Sequence, residues 1–273
     1  MSGILYVTGT PIGNLSDFSP RAVETLKSVD FIAAEDTRVT LKLLNHFNIK
    51  KPMVSYHEHN LRERGEIIID RILAGENCAI VSDAGMPCVS DPGEDLVHLA
   101  AEKNVKTVVI PGPSAVISAL CISGLKTSRF CFEGFLSTSK RNRQLHLESL
   151  KDDTHTLIFY EAPHKLLATL KDMYKVFGER NIALARELTK IHEEVIRTTL
   201  SEAITLYEGK TVKGEFVLII EGATPTKTAE ITLEEAIEEA RELLSEGMKP
   251  TEVAKNISSK YNFKKRDIYN GLI

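Results

Sequence analysis

Apolar and polar positions change period repeatedly along this chain. Short runs rich in Val, Ile, Phe and Ala at residues 4–8, 31–34, 79–82 and 107–110 read as strands, and amphipathic stretches at 20–29, 41–47, 96–103 and 114–122 read as helices. Strand and helix alternate, which predicts an α/β layer. A second series follows, with strands at 130–133, 156–160, 182–186, 193–198 and 216–221 and helices near 140–150, 165–177 and 201–207. Around 184–188 and 195–199 two strands follow one another with no helix between, so the second sheet is predicted to be mixed. The break between the two series falls near 124–128.

The last segment differs in kind. From Thr232 onward the pattern is that of short helices, with Thr232 and Thr251 as N-caps and Gly247 as a helix stop. Lys255, Lys260, Lys264, Lys265 and Arg266 give it a basic face resembling a small helix-turn-helix module; a solvated helical cap is the alternative. The predicted organisation is an N-terminal α/β domain at 1–123, a C-terminal α/β domain at 124–225 and a small helical, helix-turn-helix-like segment at 230–273.

Composition narrows the function classes. At 273 residues, with 42% hydrophobic and 26% charged, the chain is long enough for two ordinary cores. No run approaches the roughly 18 apolar residues of a membrane span and the first residues lack a signal-peptide pattern, so a soluble, unexported, cytoplasmic protein is expected. Cys78, Cys88, Cys121 and Cys131 lie in apolar surroundings without a CxxC pair, which predicts reduced core thiols and no structural metal. With a net charge of −4, any nucleic-acid contact has to come from a local basic patch.

Three loops stand out chemically. GTPIGNL, Gly9 to Leu15, forces a tight turn at the carboxyl end of the first strand, where ligands bind in such sheets. Its spacing is neither GxGxxG nor a P-loop, which speaks against a nicotinamide cofactor and a P-loop nucleotide. SDAGMPCVSDPG, Ser82 to Gly93, follows a buried strand with two glycines, two prolines and the carboxylates Asp83 and Asp91, a composition that fixes backbone amides and carbonyls in non-helical directions. PGPSA, Pro111 to Ala115, also follows a strand and opens a helix, with Ser114 placed to cap it or to bond a ligand. Two such loops facing one cleft predict a small-molecule site.

These motifs, together with EDTR (Glu35 to Arg38), FEGFL (Phe132 to Leu136), YEAPHK (Tyr160 to Lys165), RELTKIHEEV (Arg186 to Val195) and GEFVLIIEG (Gly214 to Gly222), stand in the order found in the ribosomal RNA small-subunit methyltransferase I group. Nearly the whole chain resembles that group, which belongs to the tetrapyrrole methylase superfamily. The resemblance implies two α/β domains of the tetrapyrrole methylase type, S-adenosylmethionine in the cleft between them, dimerisation, and no metal. Position by position it implies cofactor contacts at Pro11, Asp83, Gly85, Met86, Pro87, Ser114, Ala115, Glu161, Ala162 and Leu188, mostly through main chain. The implied partner is small-subunit ribosomal RNA, naked or in the assembled subunit, and the implied reaction is 2′-O-methylation of a cytidine ribose. Ser137, where the group usually has proline, and Thr198, often glycine, depart from the pattern outside the cofactor loops.

Methyl transfer from a sulfonium is an in-line displacement, so alignment and water exclusion dominate, with help from a base or a cation at the weakly acidic 2′-hydroxyl. Candidates are Glu35, Asp36 and Arg38, and Lys190, His192, Glu193 and Glu194; for EDTR, an Asp–Arg pair that merely fixes the loop is the alternative. Lys140, Arg141 and Arg143 cluster at a predicted helix start, where positive charge opposes the helix dipole and suits phosphate. His57 and His59 have the spacing of two metal ligands but no third, and a loop beside the RNA path is the preferred reading. Tyr56 and Tyr160 offer rings to stack on a flipped base or to fill a core. The competing readings are a methyltransferase for a small tetrapyrrole, which has little use for SKRNR or the basic tail, and a non-catalytic RNA-binding protein on the same scaffold, which predicts decayed cofactor loops.

Overall fold

Five parallel strands, β1 (Ile4–Thr8), β2 (Phe31–Ala34), β3 (Met53–Ser55), β4 (Cys78–Val81) and β5 (Lys106–Ile110), form a first sheet in the order β3-β2-β4-β1-β5. They are seen in a computed structural model of the chain, which describes residues 2–58, 60–91, 93–224, 232–245, 247–261 and 263–272. Because side chains alternate across a strand, the short apolar runs split into two cores. Leu5, Val7, Phe31, Ala33, Cys78 and Ile80 face one way, onto α3 (Leu61–Leu73) and α4 (Gly93–Glu102). Ile32, Ala34, Ala79 and Val81 face the other, onto α1 (Pro20–Ser28) and α2 (Thr37–His46). A sheet covered on both faces needs strands apolar at every position, as β2 and β4 are.

The second sheet holds β6 (Phe130–Phe135), β7 (Thr156–Glu161), β8 (Asn181–Arg186), β9 (Glu194–Thr199) and β10 (Phe216–Ile220) in the order β6-β7-β10-β8-β9. Only β6 and β7 run parallel; the other pairs are antiparallel, the mixed sheet expected. One face packs on α6 (Lys140–Ser149), α7 (Leu166–Phe177) and α8 (Leu200–Tyr207). The other receives α5 (Ala115–Ser123), whose Val116, Ala119 and Leu120 pack on Ile158, Ala183, Val217 and Ile219. The chain thus leaves β5 of the first sheet and at once covers the second, ending α5 at Gly124 in the left-handed conformation (φ 78°). Both sheets belong to one compact unit, Met1–Ala223.

The remaining unit, Thr224–Ile273, contains α9 (Leu233–Ser245), α10 (Pro250–Tyr261) and α11 (Lys265–Leu272) around Ala236, Ala240, Val253, Ala254, Ile257 and Ile268. Thr232 caps α9 as expected: its hydroxyl accepts the Glu235 N–H at 3.2 Å while the Glu235 carboxylate accepts the Thr232 N–H at 2.8 Å. Gly247 takes a positive φ of 95° just beyond α9. Thr251 is not a cap, because α10 starts a residue earlier on Pro250, which suits a first helical turn. In the basic stretch Lys260 is already paired with Glu239 at 2.6 Å, while Lys255, Lys264, Lys265 and Arg266 are exposed.

Other departures have local causes. α2 starts at Thr37, four residues before the predicted 41, because the Asp36 carboxylate caps it through the Arg38 N–H at 2.8 Å. β3 and α3 lie outside the predicted series. β3 has three residues, too few to show a period, and α3 carries a weak helix former, Gly65, in its interior. Cys121 is exposed rather than a core thiol, since it lies on the face of α5 opposite Val116 and Leu120. His57 follows β3 in a turn, its N–H donating to Asn60 at 2.9 Å; His59 lies outside the described residues, as does Pro92 of the predicted Gly- and Pro-rich loop.

Candidate active site

Parallel order brings the carboxyl ends of β1, β4 and β5 side by side, and the loops leaving them are locked together by backbone. The Thr10 N–H donates to Gly85 O at 2.8 Å and the Gly85 N–H returns to Thr10 O at 3.2 Å, with Gly85 at φ 88°. A Cβ on Gly9 would lie 2.7 Å from Gly112 Cα, so GTPIGNL and PGPSA touch where only glycine allows it. The Gly112 N–H is spent on Met86 Sδ at 3.2 Å.

The second sheet closes the other wall. Between Phe132 and Gly134 the register of β6 slips in a bulge, with Gly134 at φ 64°, which sets Phe135 opposite Tyr160, ring centroids 5.3 Å apart. The turn after β8 carries two non-glycine residues in the left-handed region, Glu187 (φ 50°) and Thr189 (φ 64°), a strained arrangement that presents Leu188 to the cavity. Side chains help to hold it: the Glu193 carboxylate accepts the Thr189 N–H at 2.6 Å, and the Lys190 ammonium donates to Glu187 at 2.9 Å and to Glu215 at 3.0 Å.

Between these walls lies a cavity of about 580 Å³, in the range of small-molecule sites. Its lining combines the apolar residues Ile12, Met86, Ala115, Leu188 and Val217 with the acidic residues Glu35, Asp83, Asp91, Glu161, Glu187 and Glu215. Among the described lining residues Lys190 is the sole cation, and it is shared by two of those carboxylates. Partial burial raises the pKa of Glu35 and of Asp83, against the hydrogen bonds each carboxylate accepts. Burial by itself lowers the Lys190 pKa, but the hydrogen bonds to Glu187 and Glu215 outweigh it, so the ammonium titrates above its usual value. Glu161 is buried, its carboxylate accepting the Ala162 N–H at 2.8 Å and the Thr169 hydroxyl.

Of the residues singled out for cofactor and chemistry, Glu35, Asp83, Gly85, Met86, Ser114, Ala115, Glu161, Ala162, Leu188 and Lys190 meet at this cavity. Pro11 and Pro87 flank it without lining it. Arg38 does not reach it: its guanidinium turns back onto Asp36 at 2.6 Å with the side chain 88% exposed, the loop-fixing pair weighed as the alternative. Glu193 acts on the Thr189 backbone instead. At the start of α6, Lys140 and Arg141 point to solvent, whereas Arg143 is turned inward onto Asp172 at 2.7 Å. Phe135, Glu187, Glu215 and Phe216 were missed, although each sits in a quoted motif at a strand end; that position was the available signal.

A sheet pair with this topology and an acidic strand-end cleft defines a class. The family model for Tetrapyrrole (Corrin/Porphyrin) Methylases matches residues 4–204. The fold is similar to a uroporphyrin-III-C-methyltransferase from Thermus thermophilus (TM-score 0.58, 17% identity, 80% of this chain and 94% of that one). It is also similar to a diphthine synthase (TM-score 0.60, 16% identity, 82% and 91%). At higher identity the chain resembles ribosomal RNA small subunit methyltransferase I of Synechocystis sp., 49% over 98% of this chain and 96% of the relative. It resembles the protein of the same name from Bacillus subtilis at 44% over 98% and 93%. The chain belongs to the tetrapyrrole methylase family and, within it, to the ribosomal RNA small subunit methyltransferase I group.

Proposed function

We propose that this protein uses S-adenosylmethionine to methylate the ribose 2′-oxygen of a cytidine in small-subunit ribosomal RNA. The observation that carries the cofactor is the charge of the cavity lining: six acidic residues against one lysine suit a ligand bearing a sulfonium and an ammonium. The glycine contacts between GTPIGNL, Gly85 and PGPSA add a rigid backbone cradle for an adenosine and amino-acid moiety. Small-subunit ribosomal RNA as acceptor is supported by the name that the similar relatives share, and the cytidine 2′-oxygen is what the resemblance implies.

When bound, S-adenosylmethionine supplies both the methyl group and its own leaving group. The chain then has to orient, exclude water and handle one proton. Asp83, Gly85, Met86, Ser114, Ala115, Glu161, Ala162 and Leu188 hold the cofactor, with Pro11 and Pro87 shaping their turns. Glu35, half-buried at the rim with a raised pKa, takes the 2′-hydroxyl proton, and Lys190 stabilises the developing alkoxide, contributing about 10²–10⁴-fold for the proton transfer. Lys140, Arg141 and the exposed lysines of α10 and α11 bind phosphate. No described helix is long and apolar enough to cross a membrane, and ribosomal RNA as acceptor puts the enzyme in the cytoplasm. Dimerisation is carried over from the resemblance to the group, and sedimentation checks it.

The test is transfer of a labelled methyl group from S-adenosylmethionine to small ribosomal subunits lacking the modification, followed by nucleoside analysis. Labelled 2′-O-methylcytidine is the expected product. Cofactor binding without incorporation into subunits or free ribosomal RNA would overturn the acceptor and favour a small-molecule tetrapyrrole substrate.

A further inference from the structure

The end of the second sheet remote from the cavity gathers three ligating side chains. Cys131 is the second residue of β6, and Asp153 and His155 stand in the turn that leads into β7. The thiol sulfur, a carboxylate oxygen and an imidazole nitrogen all lie within 4.8 Å of one another, each residue half-buried. From His155 to Tyr160 at the cavity is five residues of strand, roughly 16 Å, so the methyl-transfer chemistry uses none of the three.

We infer that Cys131, Asp153 and His155 form a binding site for a divalent transition-metal ion, zinc being the ion their thiolate, carboxylate and imidazole donors fit best. Zinc takes sulfur, nitrogen and oxygen ligands in fours, so three protein donors leave one position for water. The donors stand on backbone that is already fixed. The Asp153 N–H donates to Leu150 O at 3.1 Å, and Asp153 O accepts the Ala223 N–H at 2.6 Å. On the other side of the turn the Thr156 N–H donates to Arg129 O at 3.2 Å and its hydroxyl to Lys126 O at 2.6 Å. An ion therefore pays little ordering entropy and ties the start of β6 to the start of β7. Its binding releases the thiol proton, and any proton on His155 Nδ1, to solvent.

Two other readings of the cluster fail or make different predictions. A Cys–His–Asp nucleophile needs the imidazole between thiol and carboxylate, but here the carboxylate is in the middle. Its Oδ1 sits 2.5 Å from His155 Nδ1 and its Oδ2 3.9 Å from Cys131 Sγ. A plain Asp153–His155 ion pair accounts for those two residues and predicts no role for the thiol.

The experiment uses the full chain, stripped of metal by a chelator and titrated with Co²⁺ as a spectroscopic probe, then with Zn²⁺. One equivalent of Co²⁺ per chain with a thiolate-to-metal charge-transfer band, displaced by Zn²⁺, is expected. Zn²⁺ raises the Tm of the wild type. Cys131→Ser, which keeps size and a donor toward Asp153, abolishes the band and the Tm rise, while His155→Gln weakens Co²⁺ binding by about tenfold or more. Methyl transfer by Cys131→Ser stays at the wild-type rate, so this test stands apart from the proposed reaction. Absence of the band, a band that persists in Cys131→Ser, or a wild-type Tm unmoved by Zn²⁺ would overturn the site.

Discussion

Glu35 and Asp83 brace each other across the ends of β2 and β4: the Asp83 N–H points at Glu35 Oε2, 3.4 Å away, and the Asp83 carboxylate accepts the next N–H along, that of Asp36, at 3.1 Å. Partial burial raises the pKa of both. Each carboxylate is thereby held at the cavity edge, reluctant to ionise and poised for a cationic ligand.

A pH dependence follows from the sign of those shifts. A raised carboxyl pKa means the folded state holds the proton longer than the unfolded chain. Its contribution to stability is present below the ordinary values of 3.8 and 4.5 and is lost as pH rises through the folded values. Ligand binding runs the opposite way, because a cation favours the ionised forms. Calorimetric affinity for S-adenosylmethionine is expected to fall as pH drops through the raised values. In Asp83→Asn it is weaker by at least about tenfold at neutral pH, with a shallower acid limb. The side-chain carbonyl of that variant still accepts the Asp36 N–H, so unfolding is not expected; wild-type affinity would remove Asp83 from the site.

Gly13 sets how closely GTPIGNL approaches the turn after β8. A Cβ there would meet Lys190 Cγ at 2.6 Å, Thr189 Oγ1 at 2.8 Å and Leu188 O at 3.1 Å. Gly13→Ala is expected to push that turn off the cavity and lower methyl-transfer turnover about 100-fold, the scale of an ångström's misplacement. Parallel cofactor titrations show whether Leu188 has moved.

Lys190 separates charge stabilisation from cofactor binding. Removing the sole cation among the described lining residues makes the cavity more acidic, so Lys190→Gln should bind S-adenosylmethionine as well as the wild type or better. Single-turnover transfer to RNA should fall about 10²–10³-fold, the cost of losing a donor at a developing oxyanion. Equal loss of both would mark Lys190 as a brace for Glu187 and Glu215 only.

The basic cluster at α6 is expected to divide. Lys140→Ala/Arg141→Ala should lower RNA affinity and flatten its salt dependence while leaving denaturant stability within about 0.5 kcal/mol. Arg143→Ala strands Asp172 in a mostly buried pair and should cost on the order of 3 kcal/mol of stability. Filter binding at several salt concentrations and urea unfolding distinguish the two.

Much of this protein was legible from local pattern. Nine of the ten strands among the described residues follow from period and run length, with unbroken apolar runs such as FIAA and CAIV where both faces are buried, and the mixed second sheet follows from two strands with no helix between them. The loops that line the cavity were visible as glycine, proline and acidic residues at strand ends, and their order along the chain carried the family. What the sequence by itself determined was therefore the layer type, the family and the backbone of the site. Only the tertiary structure decided that α5 covers the second sheet, that Glu215 joins Glu187 on Lys190, and that Arg143 is committed to Asp172. A charged side chain's partner depends on which distant segments the fold sets within a few ångströms, and neither period nor spacing carries that information.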